Sequence, residues 1–511
     1  MSFFDPGMAE QIWSAHFTFA GMRASEWGKK EASWKKIALE TAEVLSRGKN
    51  IGIRLSTGGG KTIIAILTAT ALGARTLFLT PTRYLTDQHE KLLKVTLGCS
   101  LPARVITGET SPGRRIWNNQ SERFIFSTGE AFYSALAAED VSLEEFDLIV
   151  FDEFHLARGK YAYTLITPEC IKSGIPRLGL SASPGGTEEE VELVLLNTGI
   201  ECVSNPQIKS PPKSDNYYFL PLTPEMERAD KEGWKVLGEK LVNDLREANL
   251  RIPEQWHCTA QELKRLRRDI SALPTTPNTK KLRKLFAKYR LYLYGYYVFM
   301  TGSYYAFSKY AEGLAVRKRP SDRMLLGEPI FRRLIATAEH YRDEHPKVTK
   351  LARLLKNVRR SGGKAVVFFA DKNTARYCRE FLDECCILTE MVFGGADKSV
   401  LQQQEAIDSL KDGRITAVLA TSVLRVGVDI PEVDLVLNYS VEQSGIARLQ
   451  SGGRTGRMRP GHIAHLVLDH DLDRLVFFAV HKQTKKITEL SARELRPVSE
   501  RKGQLSLFVS S

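Results

Sequence analysis

The sequence predicts an α/β protein built as two parallel-sheet domains with a helical insertion domain between them. Three observations point there. Over 32–212, apolar strand-like runs alternate with helix-like segments; over 213–345 that rhythm gives way to long charged stretches with few strand signals; over 346–488 it returns. Such alternation implies parallel strands wrapped by helices. The chain of 511 residues has room for about two to four domains, each with its own core.

The first positions of the N-terminal segment, 1–31, include Asp5, Pro6 and Glu10 rather than a basic stretch followed by an apolar one, so no secretory leader is expected. The first domain contains the runs Ile51-Gly52-Ile53-Arg54-Leu55, Thr76-Leu77-Phe78-Leu79, Arg123-Phe124-Ile125-Phe126, Leu148-Ile149-Val150-Phe151 and Arg177-Leu178-Gly179-Leu180. In the insertion, 225–248 and 260–271 read as helices. Residues 261–290 carry Lys264, Arg265, Arg267, Arg268, Lys280, Lys281, Arg283, Lys284, Lys288 and Arg290 against only Glu262 and Asp269, and a cluster from Tyr289 to Tyr310 is rich in tyrosine. Basic residues beside aromatics suit a groove that follows a phosphate backbone. The same composition suits a helical subdomain with a tyrosine core and a solvated basic face. The core reading is taken for most tyrosines, and the groove reading for part of the basic face. The second domain has the runs Ala365-Val366-Val367-Phe368-Phe369, Thr416-Ala417-Val418-Leu419-Ala420, Leu435-Val436-Leu437-Asn438-Tyr439 and Ile463-Ala464-His465-Leu466-Val467-Leu468. A polar tail, 489–511, is expected to be flexible.

Two stretches carry the chemistry. Ser56-Thr57-Gly58-Gly59-Gly60-Lys61-Thr62 lies between one apolar run and another, Ile63-Ile64-Ala65-Ile66-Leu67, as a strand feeding a glycine-rich turn that opens a helix. Glycines let backbone N–H groups close around phosphate oxygens, Lys61 reaches the terminal phosphates, and the Thr62 hydroxyl can hold magnesium. Leu55 stands where the general pattern has a first glycine. Phe151-Asp152-Glu153-Phe154-His155 ends a strand with adjacent carboxylates: Asp152 can hold the metal while Glu153 orients or deprotonates a water. Singly, one is a plain turn and the other a solvated acidic pair; their order and placement at strand ends together describe a nucleoside triphosphate site.

Near the end of the second domain stands Gln450-Ser451-Gly452-Gly453-Arg454-Thr455-Gly456-Arg457. A nucleotide cradled in one domain presents its γ-phosphate to a neighbour, where a planar guanidinium stabilises transition-state charge. With this turn in place the chain resembles the superfamily 2 helicases, and within them the archaeal Hef and FANCM group, related to the RIG-I-like receptors. Thr80-Pro81-Thr82-Arg83-Tyr84-Leu85 with Gln88-His89 resembles motif Ia, and Thr107-Gly108-Glu109 with Ser111-Pro112 and Arg115 the segment after it. The acidic pair, continued by Tyr161-Ala162-Tyr163, resembles motif II, and Gly179-Leu180-Ser181-Ala182-Ser183-Pro184-Gly185 motif III. Thr421-Ser422-Val423 with Gly427-Val428-Asp429-Ile430-Pro431 resembles motif V, and the glycine–arginine turn motif VI.

The resemblance implies two RecA-like domains with ATP and magnesium at their interface, single-stranded nucleic acid lying across both, and an insertion that grips duplex or branched DNA. By carry-over, Thr57, Gly58, Gly59, Gly60, Lys61, Thr62, Gly427 and Asp429 bind the nucleotide, and Thr62 and Asp152 hold magnesium. Glu153 positions the attacking water, and Gln450, Arg454 and Arg457 meet the phosphates. His155, Ser181 and Ser183 couple hydrolysis to movement. Arg83, Gly108, Thr128 and Thr421 fall on the nucleic-acid backbone, joined by Lys280, Lys281, Arg283 and Lys284 of the insertion. Backbone contacts carry no base information, so little sequence preference is expected.

The chain departs from the family pattern in several places. No glutamine before Lys61 fits the adenine-reading motif, which leaves selectivity for ATP open. Phe154 replaces the usual alanine, Ser127-Thr128-Gly129-Glu130 lacks a proline after the threonine, and Leu424-Arg425-Val426 replaces an acidic stretch. No second acidic cluster stands where Hef continues into a nuclease, so no nuclease activity is expected. In the tail, Gln504-Leu505-Ser506-Leu507-Phe508 resembles the bacterial sliding-clamp-binding motif, which implies a clamp partner and a DNA substrate; a terminal strand packed on the second domain is the alternative.

Bulk properties agree. A net charge of +13 favours polyanionic partners. Seven scattered cysteines without a paired spacing argue for reduced thiols. No apolar stretch of about 18 residues points to a membrane, so a cytoplasmic, nucleoid-associated protein is expected. The leading reading is a DNA helicase or branch-remodelling translocase; the others are an RNA helicase or duplex-RNA-stimulated ATPase, and a clamp-tethered binding protein with a vestigial ATPase.

Overall fold

The computed structural model describes residues 4–19, 30–56, 58–111, 114–206, 208, 213–248, 250, 260–317, 319–342, 344–393, 400–421, 432–441, 448, 452–453, 455 and 460–492. In the first domain, continuous apolar runs become strands buried on both faces, as a covered parallel sheet requires. The strands are β1 (Ile51–Arg54), β2 (Thr76–Thr80), β3 (Ala103–Ile106), β4 (Phe124–Thr128), β5 (Leu148–Asp152), β6 (Arg177–Ser181) and β7 (Cys202–Ser204). Their order is β3-β4-β2-β5-β6-β1-β7, with every pairing parallel. Among the covering helices are α1 (Glu31–Ser46), α2 (Lys61–Ala71) and α3 (Arg83–Lys91). α3 starts where the Thr82 side chain accepts a hydrogen bond from Leu85 N, and it runs on into a π-helical turn, Leu92–Thr96.

The second sheet is also wholly parallel. It consists of β8 (Lys213–Leu220), β9 (Ala365–Phe368), β10 (Thr389–Val392), β11 (Ala417–Ala420), β12 (Leu435–Asn438) and β13 (Gly461–Leu468), in the order β10-β11-β9-β12-β13-β8. β8 departs from the sequence reading, which gave 213–220 to the insertion. It is an edge strand in which exposed residues mix with partly buried ones and none is fully buried, so it lacks the unbroken apolar run that marks its neighbours. The insertion begins instead at the Thr223 cap, whose side chain accepts from Met226 N ahead of Pro224.

Inside the insertion Tyr289, Tyr292, Tyr296 and Tyr304 are core, whereas Tyr294 is exposed. Trp234 is fully buried, with ring centroids 5.6 Å from Tyr292, 5.4 Å from Tyr296, 5.5 Å from Phe299 and 5.3 Å from Phe307. Buried phenols need partners: Tyr292 donates to Trp234 O at 2.6 Å and Tyr296 to Asp230 Oδ1 at 2.8 Å. α4 (Ala260–Ala272) and α5 (Pro277–Tyr297) carry the basic stretch. Lys288, counted there with the basic face, is internal: its ammonium lies 2.5 Å from Glu328, which Lys240 also pairs at 2.7 Å. A last helix, α6 (Asp471–Ala492), closes the second domain, and no described helix is long and apolar enough to cross a membrane.

Candidate active site

Sheet order brings the chemistry to one edge. In register, Arg54 at the end of β1 faces Ser181 at the end of β6, and Asp152 at the end of β5 faces Leu180 of β6. The phosphate loop, the acidic pair and the Ser181–Ser183 loop therefore emerge side by side from the carboxyl ends of adjacent strands, where ligands bind in open α/β sheets.

The loop is locally over-determined. Gly58 and Gly60 sit at φ 79° and 93°, in the left-handed region, and Gly59 N donates to Ser56 O at 2.9 Å. Lys61, the first residue of α2, is buried; its ammonium donates to Leu55 O at 3.3 Å and lies 3.7 Å from Glu153 Oε1. Trp34 of α1 clasps the loop from outside. Its indole N–H donates to Gly59 O at 2.9 Å, and a Cβ on Gly60 would fall 2.4 Å from that nitrogen. A trans peptide points its C=O and N–H opposite ways, so holding Gly59 O on Trp34 turns the Gly60 N–H away from the indole. Trp34→Phe is expected to weaken ADP binding by about 3–10-fold, the worth of one hydrogen bond, with a smaller change in kcat. Titration with a fluorescent ADP checks it.

Asp152 is buried, with both oxygens engaged: Oδ1 accepts from Glu153 N at 3.0 Å, and Oδ2 lies 2.9 Å from His89 Nε2. The Tyr163 hydroxyl sits 3.0 Å from both Asp152 O and Leu79 O, and burial pushes its phenol well above the usual range. Glu153 adopts φ 49°, a strained conformation for a residue with a side chain, of the kind that gathers at functional sites. His155 Nδ1 lies 3.2 Å from Glu153 Oε2 and 3.0 Å from Ser181 Oγ; Ser183 N donates to Ser181 Oγ at 3.1 Å, and Ser183 Oγ to Gly185 O at 3.0 Å. His155 Nδ1 thus faces both the Glu153 carboxylate and the Ser181 hydroxyl, and a hydrogen bond ties Ser181 to Ser183. Magnesium commonly takes one or two carboxylates together with substrate phosphates. Among the described residues no group of three or more His, Cys, Asp or Glu could hold a metal ion; the buried Asp152 carboxylate at the end of β5 could supply one such ligand.

Phe154, in the alanine position, is fully buried, and two glycines make room for it. A Cβ on Gly52 would come 3.1 Å from its ring, and one on Gly179 2.8 Å.

The backbone-contact candidates of the first domain follow the neighbouring strands β3, β4 and β2. Gly108 has open space around its Cα, Thr128 caps a helix by accepting from Ala131 N at 3.3 Å, and Arg83 opens α3 while paired with Glu109. Thr421 is buried just past β11. In the insertion, Lys280, Lys281 and Lys284 are exposed. Arg283 is half-buried and serves the turn between α4 and α5, donating to Leu273 O at 2.8 Å and Thr275 Oγ1 at 3.3 Å.

Thr57, Gly427, Asp429, Gln450, Arg454, Arg457 and the tail residues Gln504, Leu505, Ser506, Leu507 and Phe508 lie outside the described residues. Near Gln450, Arg448 is buried, with Nη2 2.9 Å from Asp215 Oδ2 on β8, and His465 Nε2 is 2.8 Å from Asp215 Oδ1. Burial raises the Asp215 carboxyl, but hydrogen bonds from His465 and Tyr217 outweigh it and leave the group well below the usual range. The edge strand thus fixes the chain two residues before Gln450.

The two domains meet in the described structure. The Tyr84 hydroxyl donates to Gln404 Oε1 at 3.1 Å, and Arg54 Nη2 donates to Ile487 O of α6 at 3.4 Å. The Arg54 Nε–H is 3.4 Å from Ala182 O, and burial pushes the guanidinium down to about 10.

Residues 346–459 match the family described as the helicase conserved C-terminal domain, and residues 27–185 match the res subunit of type III restriction enzymes. The chain belongs to superfamily 2 of the helicases. The helicase domain of Pyrococcus furiosus Hef has 25% identity and a TM-score of 0.60, covering 89% of this helicase and 97% of that chain. The Pyricularia oryzae ATP-dependent DNA helicase MPH1 is 27% identical over 82% of this chain and 42% of its own length. A Methanocaldococcus jannaschii protein, provisionally named an ATP-dependent RNA helicase, is 25% identical over 83% of this chain and 56% of its own. This helicase thus spans about half the length of these two relatives. Trp34 and His89 lie outside the predicted set: Trp34 is in none of the motifs, and His89 stands in motif Ia without a role the sequence assigns.

Proposed function

We propose that this helicase hydrolyses ATP to move on DNA, remodels branched DNA in repair or replication restart, and is tethered to a sliding clamp by its tail. The observation that carries the reading is the shared edge of the first sheet. Phosphate loop, carboxylate pair and Ser181–Ser183 loop end adjacent strands there, and the backbone-contact candidates end the strands beside them. In this reading Lys61 and the loop N–H groups hold the nucleotide phosphates, and Thr62 and Asp152 hold the magnesium that neutralises charge on them. Glu153 orients the attacking water, and Gln450, Arg454 and Arg457 approach from the second domain. A shift of Glu153 is passed through His155 to Ser181.

DNA is preferred over RNA on the tail motif and on the likeness to the DNA helicase MPH1; the archaeal relative makes RNA the second reading. The test is ATP hydrolysis with matched single-stranded, forked and four-way DNA and RNA ligands, with and without a bacterial clamp. Stimulation greatest on branched DNA is expected. Stimulation by RNA alone overturns the DNA assignment, and none by any nucleic acid overturns the motor. Clamp binding that survives removal of residues 504–511 overturns the tether.

Exchanging Lys280, Lys281 and Lys284 together for glutamate is expected to weaken DNA binding. The slope of log K against log salt should fall by about 1–3 in magnitude. An unchanged slope assigns those cations to a solvated face.

A further inference from the structure

Among the groups that the helicase motifs leave without a role, His89 is the most constrained. It lies six residues after Arg83 on α3, is 3% exposed, and places Nε2 2.9 Å from Asp152 Oδ2. An ionised carboxylate only accepts hydrogen bonds, so Nε2 carries the hydrogen. The ring is packed edge-on against Phe78, with centroids 5.0 Å apart, and against Phe126 at 6.4 Å. Nδ1 is buried without a hydrogen-bond partner among the described residues. A buried polar atom left unsatisfied is a cost that stability alone does not explain, and such groups gather where function demands the residue.

The helix that carries His89 touches three places at once. Arg83 opens it beside Gly108, on the edge proposed for the nucleic-acid backbone. Tyr84, one residue on, hydrogen-bonds Gln404 of the second domain at 3.1 Å. About 9 Å along the axis from Arg83, His89 meets the carboxylate proposed for magnesium. An α-helix moves nearly as a rod, and N–H···O bonds span only about 2.7–3.2 Å. A displacement of α3 of around 1 Å therefore makes or breaks the bond to Oδ2. The other carboxylate oxygen stays on Glu153 N.

We propose that His89 is a positioning residue: it orients the Asp152 carboxylate for the metal and links engagement of nucleic acid or the second domain by α3 to metal–nucleotide binding. The inference rests on the helicase reading for what moves α3, and on geometry alone for the link between His89 and Asp152. The two parts are tested separately.

The variants are His89→Phe, which keeps the aromatic packing and removes the donor, and His89→Gln, which retains a donor on a side chain of similar reach. Equilibrium binding of a fluorescent ADP is followed against magnesium concentration without nucleic acid; DNA affinity is measured without nucleotide, and hydrolysis with and without DNA. Expected for His89→Phe is a rise of about 10-fold or more in the magnesium needed for half-maximal ADP binding, the usual effect of removing a partner that orients a metal ligand. Nucleotide-free DNA affinity should stay within about twofold while the ratio of DNA-stimulated to unstimulated hydrolysis falls, and His89→Gln should recover most of both losses.

An unchanged magnesium dependence in His89→Phe overturns the positioning role. A changed magnesium dependence with an unchanged stimulation ratio overturns the link to α3. A His89→Gln protein that melts like the wild type and shows no recovery overturns the donor as the cause. If the wild-type protein shows no DNA stimulation at all, the helicase reading fails, and the magnesium titration still decides the link between His89 and Asp152.

Discussion

Glu153→Gln is expected to lower the turnover number for ATP by about 10²–10⁴-fold while changing nucleotide affinity by no more than about threefold. Glutamine keeps the length and shape of the side chain, so the strained backbone at φ 49° and the packing around it are retained. What goes is the negative charge. Glu153 Oε1 lies 3.7 Å from the Lys61 ammonium, and Oε2 lies 3.2 Å from His155 Nδ1. A carboxylate held between two nitrogens can polarise a water; a neutral amide cannot take its proton. Single-turnover hydrolysis beside ADP titration separates the chemical step from binding. A loss in affinity that matches the loss in rate would mean that Glu153 shapes the site rather than serving the reaction. Hydrolysis that persists at the wild-type rate would remove Glu153 from the mechanism.

Phe154→Ala is expected to destabilise the first domain by about 3–5 kcal/mol, the usual cost of emptying a buried aromatic site. The ring is fully buried, and two glycines on flanking strands leave space for it. Those glycines give the prediction a second arm. Gly179→Ala places a Cβ 2.8 Å from the Phe154 ring and 2.3 Å from Ile200 Cδ1, so it too is destabilising. Combining it with Phe154→Ala relieves one of the two clashes, so the losses should be less than additive by about 0.5–3 kcal/mol in a double-mutant cycle. Urea unfolding followed by near-UV dichroism reads both. Strict additivity would show that the ring and the glycine do not share a space. In relatives with alanine after the acidic pair, the glycine at Gly179 should tolerate a side chain more readily.

The parts of the fold legible in advance were those whose signal is local. Five buried strands of the first domain announced themselves as unbroken apolar runs, and the glycine loop and acidic pair as short strings at strand ends. β8 escaped because it is an edge: Lys213, Ser214, Asp215 and Asn216 precede its aromatic half, and half-exposed positions blur the pattern. Lys288 looked like part of a basic face because its partner Glu328 is 40 residues away. Trp34 and Gly59 are 25 residues apart and His89 and Asp152 63 apart, so their contacts follow from packing and from no spacing rule. Arg283 shows the reverse: its residue type suited a polyanion, and the structure commits two of its N–H groups to a turn.

Arg54 sets a limit on how the two lobes part. It sits on the strand that feeds the phosphate loop, and it reaches the carbonyl of Ile487 near the far end of a helix rooted in the other sheet. Gln483 and Ile487 of that helix rest against Gly186, just past the Ser181–Ser183 loop. The helix therefore acts as a tie-rod: widening the cleft must stretch it, bend it, or release the Arg54 contact. A force applied to the chain beyond Ala492 would be felt first at the wall of the ATP lobe.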